Sequence, residues 1–290
     1  MAYISVEDAI DLHIHCAPSI VPRLVTDDEA SQGAADAGLQ AIVIKSHHES
    51  TVTRAKVVDR KHGDMRVFGG VCLNHYVGGI NPDAVRAALG LGGKVVWMPS
   101  FDALNHHKIA GIRDVSGAVP TGRSRPKPGI SVLDSNGRLT DDTVEVLHLV
   151  KQFDAILGTS HLSFEEAVEV VSVARRIGVN QVLITHPFFK IPGFSVSQLK
   201  HLVELGAVAE FGYGTVSAMC AHATIAEVLD AIRTVGLENA VIMSDCGQIH
   251  NPRPHEGLRV FAQCLHEHGM SPDEVYTLIK HNPKRILALD

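Results

Sequence analysis

The sequence predicts a single (β/α)8 barrel, and three observations predict it. Eight short, apolar, β-branched runs alternate with longer segments of helical period. Several of these runs are nearly continuous in apolar residues, as strands are when both of their faces are buried. Glycines recur where a helix must end and the next strand begin, the place for a left-handed cap residue. Such alternation argues for parallel strands joined by right-handed crossovers, and eight repeats close a ring. A chain of 290 residues accommodates that ring as one domain spanning 1–290.

The elements follow in order. The first strand is A-I-D-L-H-I-H at 9–15, and a helix at 27–37 ends in Asp-Ala-Gly-Leu. Strands at 40–46 and 66–74 precede a helix at 81–89 and a fourth strand at 94–99. Residues 101–142 break the rhythm and are too long for an ordinary barrel loop. This insertion ends in I-S-V-L-D-S-N-G-R-L-T, a hairpin signal around Asn136-Gly137. It is expected to be a cap over the site or an oligomer contact, because loops after barrel strands lie at the face where active sites are built. The fifth strand, 155–160, leads to a helix at 164–177 with a capping box in Ser163 and Glu166 and a stop at Gly178. Strands at 181–186, 207–211 and 240–245 alternate with helices at 195–205, 224–235 and 254–268. Ser271-Pro272 opens the last helix.

Composition narrows the function. Net charge is −6, so no basic field invites nucleic acid or anionic membrane. No run approaches ~18 uninterrupted apolar residues, so no membrane span is expected. The first residues lack the basic region of a signal peptide. The five cysteines are widely spaced without a C-x-x-C pair, which fits a reduced, cytoplasmic chain better than a disulfide framework. Eighteen histidines against 26 Lys and Arg is a high ratio, and histidine is the commonest metal ligand.

Barrel chemistry is carried by the C-terminal ends of several strands. Here those ends hold His13 and His15, Lys45 and His47, Asn74 and His75, Pro99 and Ser100, His161, His186, Glu210 on the seventh strand, and Asp245. Imidazole and carboxylate together suit a divalent metal, zinc foremost, with manganese, iron or nickel as alternatives. Strand alternation places His13 and His15 on one side, with Ile10, Leu12 and Ile14 packing against the helices. Asp11 falls on the histidine side, where it can orient one ring. Lys45 reads equally well as a buried lysine, and Glu210 as a paired structural carboxylate. His75, His106, His107 and His222 read as structural or surface residues.

D-L-H-I-H on the first strand, His161 after the fifth, T-H-P on the sixth and S-D on the eighth resemble the amidohydrolase superfamily of metal-dependent hydrolases. The closing I-K-H-N-P-K-R-I-L-A-L is similar to that superfamily's N-P-x-x-x-L ending. The resemblance implies that His13, His15, His161, His186 and Asp245 bind one or two metals, with Asp245 also the general base and His161 or His186 a ligand or oxyanion stabiliser. Many members bridge two metals through a lysine or glutamate on strand 4, but W-M-P-S at 97–100 offers neither. K-S-H-H-E at 45–49 instead resembles the second-strand motif of PHP-type phosphoesterases, which implies His47 as a ligand. The D-x-H ending of that pattern is absent, since Asp245 is followed by Cys246 and Gly247. One or two ions, with Lys45, His47 or Glu210 in the second site, both stay open.

The expected reaction is hydrolysis of a small polar amide, imide, lactone or ester by metal-activated water. The alternatives are a PHP-type phosphoesterase, a mononuclear decarboxylase or hydratase of the same superfamily, and a metal-binding barrel without catalysis. Arg123, Arg125 and Arg253 are the candidates for gripping an anionic substrate, with solvated surface charge as the competing reading. A small-molecule substrate and a homo-oligomer are expected, and neither nucleic acid nor membrane.

Overall fold

The computed structural model describes residues 3–111 and 127–289. Eight strands, β1 (Ile10–Ile14), β2 (Ala41–Ile44), β3 (Arg66–Cys72), β4 (Val95–Trp97), β5 (Ile156–Gly158), β6 (Gln181–Thr185), β7 (Val208–Gly212) and β8 (Ala240–Met243), form one sheet in sequence order. Every neighbouring pair is parallel. Each run assigned to a strand from sequence forms one. Most stop one or two residues earlier than expected, because the chain leaves the ladder where the polar residues begin.

The ring closes between β8 and β1 at its C-terminal end. The Asp245 amide donates to the His13 carbonyl at 3.0 Å and the His15 amide to the Cys246 carbonyl at 2.8 Å. Asp11 lies at this seam. Its Oδ1 accepts from the backbone amides of Ser244 (3.0 Å) and His13 (3.3 Å), so it secures backbone and not an imidazole ring. Burial pushes the Asp11 carboxyl up to about 7.

The expected alternation along β1 is corrected here. Ile10 and Leu12 lie in the lumen with Ala41, Val43 and Trp97, and only Ile14 joins the outer core with Ile42 and Ile44. Asp11 pairs with Ile42 and Ile14 with Ile44, so three steps on β1 oppose two on β2. That extra residue is a bulge, and it shifts the side-chain phase between Leu12 and Ile14. His13 and His15 face the cavity because of the bulge, not through unbroken alternation.

Helices cover the strands. α1 (Asp27–Asp36), α2 (Val52–Val58), α3 (Pro82–Gly90), α4 (Leu104–Ala110), α5 (Asp141–Gln152), α6 (Phe164–Ile177), α7 (Val196–Glu204), the single turn α8 (Tyr213–Val216), α9 (Ile225–Val235) and α10 (Pro254–Glu267) follow in turn. α11 (Pro272–Tyr276) runs through a π-helical stretch at Thr277–His281 into α12 (Asn282–Leu287). The Ser163–Glu166 and Ser271–Glu274 capping boxes form, and Gly178 takes the left-handed cap with φ +92°. Ile286 and Leu287 of α12 fill the N-terminal end of the lumen. None of the described helices is long and apolar enough to cross a membrane.

The 101–142 segment divides. α4 follows β4 closely, and α5 is the barrel helix that leads into β5. The excursion between them is pinched at its base, where the Leu104 amide meets the Ile130 carbonyl and the Ile130 amide the Asp102 carbonyl, each at 2.7 Å. The Asn136-Gly137 turn forms, with Leu133 bridging Leu139 and Gly137 at φ +75°. Arg123 and Arg125 lie outside the described residues.

Candidate metal centre

A cavity of about 600 Å³ opens over the C-terminal ends of the strands. Its wall carries His13, His15, Lys45, His47, His161, His186 and Asp245, while Glu210 lies buried beneath it. Trp97 forms the floor, with its ring 5.9 Å from that of His13. Gly70 and Gly158 flank the indole, and a Cβ on either would stand within 2.7 Å of it.

At the centre are His13, His15 and Asp245, whose ligand atoms all lie within 4.8 Å of one another. His15 Nδ1 meets the Lys45 carbonyl at 3.0 Å. A carbonyl only accepts, so Nδ1 carries the proton and Nε2 points its lone pair at Asp245 Oδ1, 3.1 Å away. Burial, then the positive charge of Arg23, pulls His15 down to about 4, so the ring is neutral near pH 7. Burial alone would raise the Asp245 carboxyl, and it is positive charge at the His13 and His15 side, from protons on those rings or a cation in their place, that holds it below the usual range. An imidazole lone pair and a carboxylate oxygen therefore face each other, an arrangement that a cation stabilises. His13 is fully buried with neither ring nitrogen hydrogen-bonded; it stands 3.5 Å from Asp245 Oδ1 and 3.8 Å from Glu210 Oε2.

The remaining candidates stand outside this group. His47 is braced by Ser100 Oγ at 2.8 Å and stacked on Phe101 at 4.0 Å. Asn74 supports it by donating to the His47 carbonyl and to Ser100 Oγ. His186 is buried with Nδ1 unpaired, and burial lowers it to about 4. His161 meets His106 through their Nδ1 atoms at 2.7 Å. His186, Asp245 and Ser160, just before His161, adopt positive φ of 35°, 50° and 50°. Turns of this kind cost energy in non-glycine residues and aim the side chains off the strand direction.

Lys45 and Glu210 form the base of the site. Both are buried, and the Lys45 Nζ has no hydrogen-bond partner among the described residues. Burial raises Glu210 to about 8 and lowers Lys45. The Lys45 Nζ lies 5.3 Å from the Trp97 ring centre.

One placement differs from the sequence reading. Arg253 caps α10 at an exposed position away from the cavity, because Pro254 starts the helix there. His106 is a buried, hydrogen-bonded residue of the cavity wall on α4, and His222 lines the same cavity. Arg23 went unnoticed, although it lines the cavity; its only sequence signal is its place in a loop that follows a barrel strand.

A family described as a family of unknown function, DUF6282, matches residues 8–210. No curated protein matches the chain by sequence. Among solved structures, an amidohydrolase from Pseudomonas aeruginosa is 13% identical with a TM-score of 0.60, covering 97% of this chain and 95% of that one. A dihydroorotase is 14% identical at a TM-score of 0.60 over 98% and 70% of the two chains. A 2,6-dihydroxybenzoate decarboxylase from Rhizobium is 11% identical at 0.58 over 100% of both. These likenesses establish the fold, a (β/α)8 barrel.

Proposed function

The chain belongs to the DUF6282 family, whose function is unknown, and from its site we propose that it is a metal-dependent hydrolase of a small polar amide, imide, lactone or ester. The observation that carries this reading is the His15 Nε2 lone pair directed at Asp245 Oδ1, with the unpaired ring of His13 beside them. The donor set fits a divalent ion such as zinc: neutral imidazoles, an ionised carboxylate, and a backbone carbonyl fixing the tautomer of one ligand. His13, His15 and Asp245 would hold it. When bound, such an ion makes hydroxide available near neutral pH and polarises a carbonyl oxygen.

The chain's own groups supply the rest. Asp245 Oδ1 faces the histidines, which leaves Oδ2, on the Gly214 side, to take a proton from the attacking water and return it to the leaving group. Gly212 and Gly214 make room for this carboxylate at the end of β7. His161, anchored to His106, is assigned to the oxygen on which charge develops. Phe101 and Phe189, stacked on His47 and His161, keep water from that side.

Metal analysis of purified protein tests the reading. One or two equivalents of zinc or a related ion are expected, and Asp245→Asn should lower hydrolysis of a chromogenic ester such as p-nitrophenyl acetate by about 10²–10⁴-fold. Protein that binds no metal, or an Asp245→Asn variant of undiminished rate, would refute it. A second reading is favoured by Trp97, which fills the place where β4 faces the lumen and gives a second ion no ligand from that strand. One equivalent of metal with carbon dioxide released from 2,6-dihydroxybenzoate would assign a mononuclear decarboxylase.

A further inference from the structure

The loop from β1 to α1 folds back over the cavity mouth. The Leu24 amide donates to the Gly247 carbonyl at 2.9 Å, and Arg23 pairs as an antiparallel bridge with Gln248 in the loop after β8. Gln248 in turn donates to the Asp245 carbonyl at 2.9 Å. This pairing carries Arg23 into the wall of the cavity that holds His13, His15 and Asp245. Arg23 is partly exposed, but its Nε is buried and has no hydrogen-bond partner among the described residues. Arg54, by contrast, is engaged with Asp27, Glu49 and two backbone carbonyls. A buried guanidinium N–H without a partner is costly unless a ligand supplies the acceptor.

We propose that Arg23 is the anion-recognition residue of this cavity, and that its substrate is a small organic anion with a flat apolar body. This rests on the reading of the cavity as an active site and adds the class of molecule that enters it. Guanidinium geometry suits a two-oxygen anion, a carboxylate or a phosphoryl group. The opposite wall supplies the apolar surface: Phe101, Phe189, Ile191 and Met219 line the same space. The Phe101 and Phe189 rings lie at 25° and 29° to the imidazoles on which they stack, and both rings line the cavity. Arg23, Lys45 and Lys190 line the cavity against a single carboxylate, Asp245. Burial lowers Arg23 to about 10, which still leaves it charged near neutral pH.

Calorimetric titration with benzoate, its neutral counterpart benzamide, and inorganic phosphate tests this, on protein as isolated and after chelation. Benzoate should bind both forms and benzamide neither. Arg23→Gln should weaken benzoate by about tenfold or more, the scale of one charged hydrogen-bonding pair, with Arg23→Lys falling between. Phosphate in place of benzoate, with the same dependence on Arg23, would keep the anion site and assign a phosphoryl substrate. Arg23→Gln should leave metal content unchanged and hold or raise the melting temperature without ligand, because it removes an unpaired buried N–H. Benzoate affinity unchanged in Arg23→Gln, or equal binding of benzamide, would overturn the proposal. Protein that holds no metal yet binds benzoate through Arg23 would overturn the hydrolase reading and leave this one standing.

Discussion

Trp97 shows how one residue sets the floor of the site. Its ring is 1% exposed and fits between strands that carry no side chain at Gly70 and Gly158. A Cβ at position 158 would stand 2.5 Å from Trp97 Cδ1 and 3.1 Å from Thr185 Oγ1. The indole has no retreat, because position 70 is equally close on its far edge, 2.7 Å from Cζ3. Overpacking of a filled core typically costs about 1–3 kcal/mol. Gly158→Ala is therefore expected to lower unfolding stability by about that amount in urea titration, and to weaken metal uptake because His13 lies directly on the displaced ring. Wild-type stability in this variant would mean that Trp97 is free to move and is not a fixed floor.

At the scale of elements, the strands were legible because apolar, β-branched runs need no long-range information. The strand-end ligands were legible because a parallel barrel has only one face where polar strand ends gather. The bulge in β1 was not. Period-two counting assumes an unbroken ladder, and nothing in A-I-D-L-H-I-H marks the step at which the pairing with β2 slips. Arg23 was missed for a related reason: its partner is 225 residues away, at Gln248, and only the closed ring brings them together. The β1–α1 loop that carries Arg23 is itself held by Arg54, which donates to Asp27 at 2.6 and 2.7 Å and to the carbonyls of Cys16 and Pro18 at 3.1 and 2.7 Å. Asp27 is only 7% exposed, so removing the guanidinium leaves a largely buried carboxylate unpaired. Arg54→Ala is expected to cost about 2–3 kcal/mol, and to speed amide exchange across residues 17–26 more than in the strands. It should weaken benzoate binding by releasing the loop while leaving metal content intact. Unaltered exchange in that loop would show that its pairing with the β8 loop suffices to hold it.

For the whole molecule, the closed ring brings together groups that are unfavourable neighbours in isolation. His15 and Asp245 meet as two acceptors, and the unpaired nitrogens of His13 and His186 are buried beside them. The unfolded chain has no such site, since its ligands come from strands more than 200 residues apart in sequence, as His13 and Asp245 do. Metal affinity thus becomes folding stability, because an ion that binds only the folded state stabilises it by RT ln(1 + [M]/Kd). At a hundredfold excess over Kd that is about 2.7 kcal/mol, or about 4 °C in a domain of this size. Chelation followed by zinc addition should lower and then restore the melting temperature by that order. His15→Ala should abolish the zinc-dependent increment, whereas Arg253→Ala, at an exposed helix cap away from the cavity, should keep it. A zinc increment of equal size in His15→Ala would place the ion elsewhere, on the surface or on His47 and His186, and would remove His13, His15 and Asp245 from the centre of the site.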